Sequence, residues 1–301
     1  MKEENYIRFD WAAKRLLRNK ANFDVLEGFL KTLLEEDIHI MEILESEANM
    51  EDESDKFNRV DIKAKNSKGD IIIIEIQNTR EIYYLERILY GVAKAITEHI
   101  NIGDSYSSIK KIYSISIIYF DMGKGEDYIY KGSSRFCGLN THDELEISLK
   151  EKNAIIRKTP DKIFPEYYLI RVNEFNKLAV TPLEEWITYL KTGKISSEAK
   201  APGLPEAREK LRYYDMPPQE RQAYDRHLEN IMIQNDVLSA AKEEGIEQGI
   251  EQGLEQGYDK HLYVQVQKKL EKGKSISQIA DECEESEDAI CKIISEKEID
   301  R

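Results

Sequence analysis

Apolar residues recur at helical spacing through residues 9–34. Phe9, Ala12, Ala13, Leu16 and Leu17 line one face, and Val25, Leu26, Phe29, Leu30, Leu33 and Leu34 line another. Two helices are expected, with a break near Asn19 to Asn22. Residues 35–58 are acidic and irregular, with a strand starting near Ile40. The pattern then changes period. Residues 59–65 and 71–77 read as strands joined by the turn-rich "NSKGD", which predicts a hairpin. Residues 81–100 form an amphipathic helical pattern, and "KIYSISIIYF" at 111–120 has the content of a central strand. "DYIYKGS" and "EYYLIRVNEF" read as further strands. "TPLEEWITYLKTG" is a helix framed by Pro182 at its start and Gly193 at its end. From about residue 205 the chain is almost wholly helical. The expected division is 1–195, 196–243 as linker and helical segment, and 244–301 as a glycine-punctuated helix with a small helical hairpin.

The hairpin carries acids where strands should carry core. A turn centred on Lys68 sets Asp61 directly opposite Glu75 and Arg59 opposite Gln77. Side chains alternate across a strand. Val60, Ile62, Ala64, Ile72, Ile74 and Ile76 therefore share one apolar face, and Asp61, Lys63, Glu75 and Gln77 share the other. Directly paired Cβ atoms lie about 5 Å apart, and two carboxylates that close repel unless a positive charge lies between them. Lys63, Lys65 and Arg59 would neutralise them on an ordinary solvent-facing sheet. However, "DIIIIEI" is apolar on both faces up to Glu75, as in a central strand covered on both sides. A divalent cation of the Mg²⁺ type, which prefers carboxylate and carbonyl oxygens, would then satisfy the pair.

Composition narrows the function without defining it. The chain has 301 residues, 41% of them hydrophobic and 34% charged, with a net charge of −14. Residues 201–301 hold 14 basic and 23 acidic residues, so most of the acidity lies there. This argues against tight, indiscriminate nucleic-acid binding but leaves room for a local basic groove. No apolar run is long enough to span a bilayer, and "MKEENYIRFD" has no leader pattern. Cys137, Cys283 and Cys291 have neither disulfide-scaffold nor zinc spacing, which fits a reducing cytoplasm. The five histidines lie far apart, and no nucleophile elbow, Walker loop or dinucleotide fingerprint is present.

Five pieces in order resemble one family: "FDWAAKRLL", "RVDIKAKNSKGDIIIIEIQ", "YYLERILYGVAKA", "TPLEEWITYLKTG" and "EEGIEQGIEQGLEQG". The spacing of Asp61 to Glu75-Ile76-Gln77 is similar to the PD-(D/E)XK nuclease signature. The wider pattern resembles its branch of Rpn family recombination-promoting nucleases, also described as transposases. The resemblance implies an α/β fold, with a restriction-endonuclease-like core (a mixed central sheet flanked by helices) followed by an all-helical C-terminal region. It further implies hydrolysis of DNA phosphodiesters with Mg²⁺ or Mn²⁺, and a role in recombination or mobile-element turnover. Carried over residue by residue, Asp61 and Glu75 are metal ligands and the carbonyl of Ile76 completes the set. Asp10 would add a carboxylate from the first helix. Gln77 stands where many superfamily members carry lysine, although an E-x-Q ending is common in the branch that this chain resembles. Lys63 shares its face and could substitute, although it belongs opposite Ile73. Arg87 and Tyr90 would touch a phosphate, brace the site, or simply pack their helix on the sheet.

Two other readings stand beside catalysis. The first is a DNA-binding or adaptor protein that retains the fold without the chemistry. The second places function in the tail, where Gly245, Gly249, Gly253 and Gly257 recur every fourth residue. Glycine costs about 1 kcal/mol against alanine in a helix. Close approach of a second copy along the glycine row would compensate, making a homo-oligomer; a plain spacer is the alternative. The last residues outline a helix-turn-helix, but Glu287 and Asp288 open its second helix and would meet a phosphate-lined groove. A helical hairpin packing on a partner fits them better.

Overall fold

The computed structural model describes residues 6–44, 61–100, 103–151 and 154–296. The elements run in the order α1 (Phe9–Arg15), α2 (Phe23–Leu34), β1 (Ile40–Leu44), β2 (Ile62–Asn66), β3 (Ile71–Gln77), α3 (Tyr84–Thr97), β4 (Ile112–Ile118) and β5 (Ile129–Gly132). There follow β6 (Ile147–Glu151), β7 (Ala154–Lys158), β8 (Glu166–Arg171), α4 (Pro182–Thr192), α5 (Leu204–Lys210), α6 (Pro218–Glu271), α7 (Ile276–Cys283) and α8 (Glu287–Glu296). They fall into two compact units, Met1–Asp225 and Arg226–Arg301. No helix among the described residues is long and apolar enough to cross a membrane.

The first unit is built on a six-stranded mixed sheet in the order β1-β2-β3-β4-β8-β5. β2 and β3 form the expected antiparallel hairpin, with Lys63 opposite Ile73 and Ile62 opposite Ile74. Arg59 and Val60 lie outside the described residues. β3 then pairs parallel with β4, a connection that needs a crossover, and α3 supplies it. β3 is therefore central, and both of its faces are covered. Ile72 and Ile74 are fully buried on one side. On the other, Ile71 and Ile73 pack against Val92 and Ala95 of α3 and against Ile112. β6 and β7 form a separate hairpin that the hydrophobic pattern did not predict.

A buried aromatic group joins α1, α2 and α4. Phe9 meets Phe29, Trp186 and Tyr189 at ring separations of 5.4, 6.0 and 6.5 Å. α4 has the predicted frame. The Thr181 side chain accepts from the Glu184 N–H, Glu184 answers on the Thr181 N–H, and Gly193 closes the helix with a left-handed φ of 69°.

The segment after α4 belongs to this unit, so the compact unit extends past the expected boundary near 195. Ala201, Leu204, Ala207 and Leu211 are buried. Trp186 Nε1 donates to the Pro202 carbonyl at 2.9 Å, and the Ile7 N–H donates to the Leu211 carbonyl at 2.7 Å. The physical reason is a glycine pair. A Cβ on Gly28 of α2 would stand 2.3 Å from the Gly203 backbone, so only glycine permits this approach. Small residues that read as a linker are here a contact surface.

In the second unit, α6 runs through the glycine row without a break. Residues 232–261 are exposed throughout. Near its end, Leu262 and Val266 form a small core with Ile279 and Ala280 of α7 and Ile290 of α8. Ser275 caps α7 in a capping box with Gln278, and the Ala289 N–H donates to Ser286 Oγ at 3.1 Å.

Candidate active site

The hairpin register brings the acids to one end of the sheet. Asp61 immediately precedes β2, and its Oδ2 accepts from the Ile76 N–H across the hairpin at 2.7 Å. This bond fixes Asp61 beside the strand that carries Glu75. Glu75 is only 6% exposed. Burial pushes its carboxyl up to about 7. The Arg87 charge opposes the rise, and the negative charges of Asp61 and Glu81 add to it. The two hairpin acids thus sense one another.

α3 folds back over this end of the sheet and delivers a cation. The Arg87 guanidinium forks between two carboxylates, with Nη2 on Glu75 Oε1 and Nη1 on Glu81 Oε1. Gln77 joins the same group. Its Nε2 donates to Glu81 Oε1 at 2.9 Å, to the Thr79 carbonyl at 3.1 Å and to Thr79 Oγ1 at 3.3 Å. With acceptors on the amide nitrogen's side, the orientation of the Gln77 amide follows from its neighbours.

Two further cations come from α1 and the turn that follows it. Lys14 Nζ lies 3.3 Å from Asp61 Oδ1, and Arg18 Nη2 donates to the Asp61 carbonyl at 2.8 Å. Lys14 is half-exposed, so this pair is solvent-screened and contributes little stability. At this end of the sheet each acid is thus met by a cation, Asp61 by Lys14 and Glu75 by Arg87.

The remaining candidates are placed elsewhere. Lys63 stands opposite Ile73 and gives its buried ammonium to Glu98, just past the end of α3. It is committed to that ion pair and does not take up the position of the missing lysine. Asp10 is buried on α1, and its Oδ1 accepts from Arg8 Nε at 3.2 Å. The α1 side chain paired with Asp61 is Lys14, one turn or about 6 Å further along the axis. Tyr90 is half-buried on α3, one turn beyond Arg87. Four residues of the group escaped the sequence reading: Thr79, Glu81, Lys14 and Arg18. The i,i+4 spacing of Lys14 and Arg18 was the available signal, whereas nothing local marks Glu81.

Among the described residues no three His, Cys, Asp or Glu side chains cluster as a metal site. Two carboxylates remain: buried Glu75 holds Arg87 through Oε1 alone, and Asp61 holds Lys14 through Oδ1 and the Ile76 N–H through Oδ2. Such a donor set fits a cation of the Mg²⁺ class, which is commonly bound by one or two carboxylates while keeping several waters.

A family model described as PD-(D/E)XK nuclease family transposase matches residues 7–241, a span that includes the hairpin, α3 and α4. Comparisons with curated proteins and with solved structures give no match. The mixed sheet, the acid-bearing hairpin at its centre and a family match over most of the chain agree, and the chain belongs to the PD-(D/E)XK nuclease family transposases.

Proposed function

We propose that this protein is a divalent-cation-dependent endonuclease that hydrolyses DNA phosphodiester bonds. The observation that carries the reading is the pairing of Asp61 with a buried Glu75 across one hairpin, on a strand whose next residue but one is Gln77. Asp61 and Glu75 would hold Mg²⁺ or Mn²⁺, with the Ile76 carbonyl as a third oxygen. Such a cation supplies charge neutralisation at the phosphate and a more acidic bound water. In the hydrolysis itself, a water oxygen bonds to phosphorus and gives up a proton as the ester P–O bond breaks, and the departing ester oxygen takes a proton and leaves as a hydroxyl. Lys14 and Arg18 stand where a phosphate beside Asp61 would find positive charge. Gln77 is neutral and hydrogen-bonded, so it orients groups without supplying the charge that lysine would bring. A role in recombination or mobile-element turnover extends this reading from the family.

Cleavage of plasmid DNA with and without Mg²⁺ or Mn²⁺ tests it. The expected result is divalent-dependent cleavage that Asp61→Ala and Glu75→Ala each abolish. Equal cleavage by wild type and both variants would sink the assignment. The Arg87 fork, which already neutralises Glu75 with a protein cation, favours a second reading: a DNA-binding or adaptor protein without chemistry. That reading predicts DNA binding with no divalent-dependent product. Association of copies through the exposed glycine row of α6 is proposed on the same footing, and so is a cytoplasmic setting.

A further inference from the structure

Glu81 has no place in the hairpin motif, yet it is the hub of the polar contacts around Glu75. Its Oε1 accepts from both Arg87 Nη1 and Gln77 Nε2. The other arm of Arg87 reaches Glu75 Oε1. A guanidinium facing one carboxylate prefers two parallel N–H···O bonds, a fork on a fork. Here the fork is divided between two acids, and Arg87 takes only one oxygen of Glu75.

Resting on the reading of Asp61 and Glu75 as cation ligands, we propose that Glu81 is a positioning residue. By drawing one arm of Arg87 to itself, it keeps Glu75 from being sealed in a bidentate ion pair, and so sets how readily the acid pair takes a divalent cation. Gln77 completes the device. Its amide nitrogen anchors Glu81 Oε1 and is held in turn by Thr79. A lysine at this position would bring a second cation to Glu81 and drive Arg87 towards Glu75. Glutamine anchors Glu81 with no charge and avoids that competition.

The test is Mn²⁺ binding to the full chain without DNA, read by calorimetry or by the electron paramagnetic resonance of free Mn²⁺. Wild type binds, and Asp61→Asn and Glu75→Gln lose the site. Glu81→Gln weakens binding about tenfold. In the Arg87→Met background, and in the Arg87→Lys background should the first fail to fold, Glu81→Gln has no further effect, because there is no fork left to divide. Unchanged binding in Glu81→Gln overturns the proposal. So does an equal loss with and without Arg87, which would make Glu81 a ligand rather than a positioning group. Either result leaves the nuclease reading intact. A wild-type chain with no Mn²⁺ site dependent on Asp61 and Glu75 overturns both.

Discussion

At Glu75 a buried carboxyl is shared between a proton and the Arg87 guanidinium, and on the proposed reading a metal competes with both. Burial raises its pKa from 4.5 to about 7. A raised carboxyl pKa means that the folded chain binds the proton more tightly than the unfolded one. The contribution to stability is therefore full below about pH 4.5 and is lost as pH rises to about 7. The whole effect is on the order of 3 kcal/mol. Without divalent ions, the melting temperature of wild type should fall between pH 5 and pH 8, while Glu75→Gln should give a flatter profile. Parallel profiles would mean that the carboxyl is not held in a low-dielectric site. At neutral pH an added divalent cation should raise the wild-type melting temperature and leave that of Asp61→Asn unchanged.

Helices and strands carry a different set of consequences. Glu184 stands at the third position of α4, and its pKa is lowered to about 2. Lys177 is the main cause, aided by the Val180 and Thr181 N–H groups. Here the sign is reversed: the stabilisation is present above about pH 4.5 and is lost as pH falls towards 2. Glu184→Gln should destabilise the chain at pH 7, and the difference from wild type should close in acid. Denaturant titrations at pH 7 and pH 3 measure this.

Glycine has opposite meanings in two helices. In α2, Gly28→Ala would drive a methyl into the Gly203 backbone at 2.3 Å. Backbone cannot swing aside, so a loss of about 2 kcal/mol or more is expected. In α6 a Cβ on Gly249 meets nothing within 4 Å. Gly249→Ala should stabilise the helix by about 1 kcal/mol if no second copy covers it. If the substitution instead lowers both stability and solution mass, the glycine row is the contact between copies.

For the molecule as a whole, charge would govern the proposed encounter with DNA. A net charge of −14 repels a polyanion at a distance, and salt screens that repulsion. The basic residues paired to Asp61 act locally. Lys14→Ala should weaken binding across all sequences and lower the salt slope by about one. Binding isotherms at several salt concentrations decide this, and an unchanged slope would remove Lys14 from the phosphate contacts.

The hairpin was legible because its information is local. Strand alternation and the turn at Asn66–Asp70 fix which residues oppose, and they put Asp61 and Glu75 on one face before any packing is considered. The α4 frame was equally local, written in Thr181, Pro182 and Gly193. What the site does with its acids was not legible, because those partners arrive from separate elements. Arg87 returns to Glu75 only because α3 lies across the sheet. Lys63 turns to Glu98 for the same reason. Asp61 meets Lys14 because α1 docks where it does. Residues 195–207 read as linker by composition, and the backbone contact of Gly28 with Gly203, together with buried Ala201, Leu204 and Ala207, makes them part of the first unit. Periodicity determines which face a side chain is on; close packing between distant segments decides what it touches there, and no local pattern encodes that.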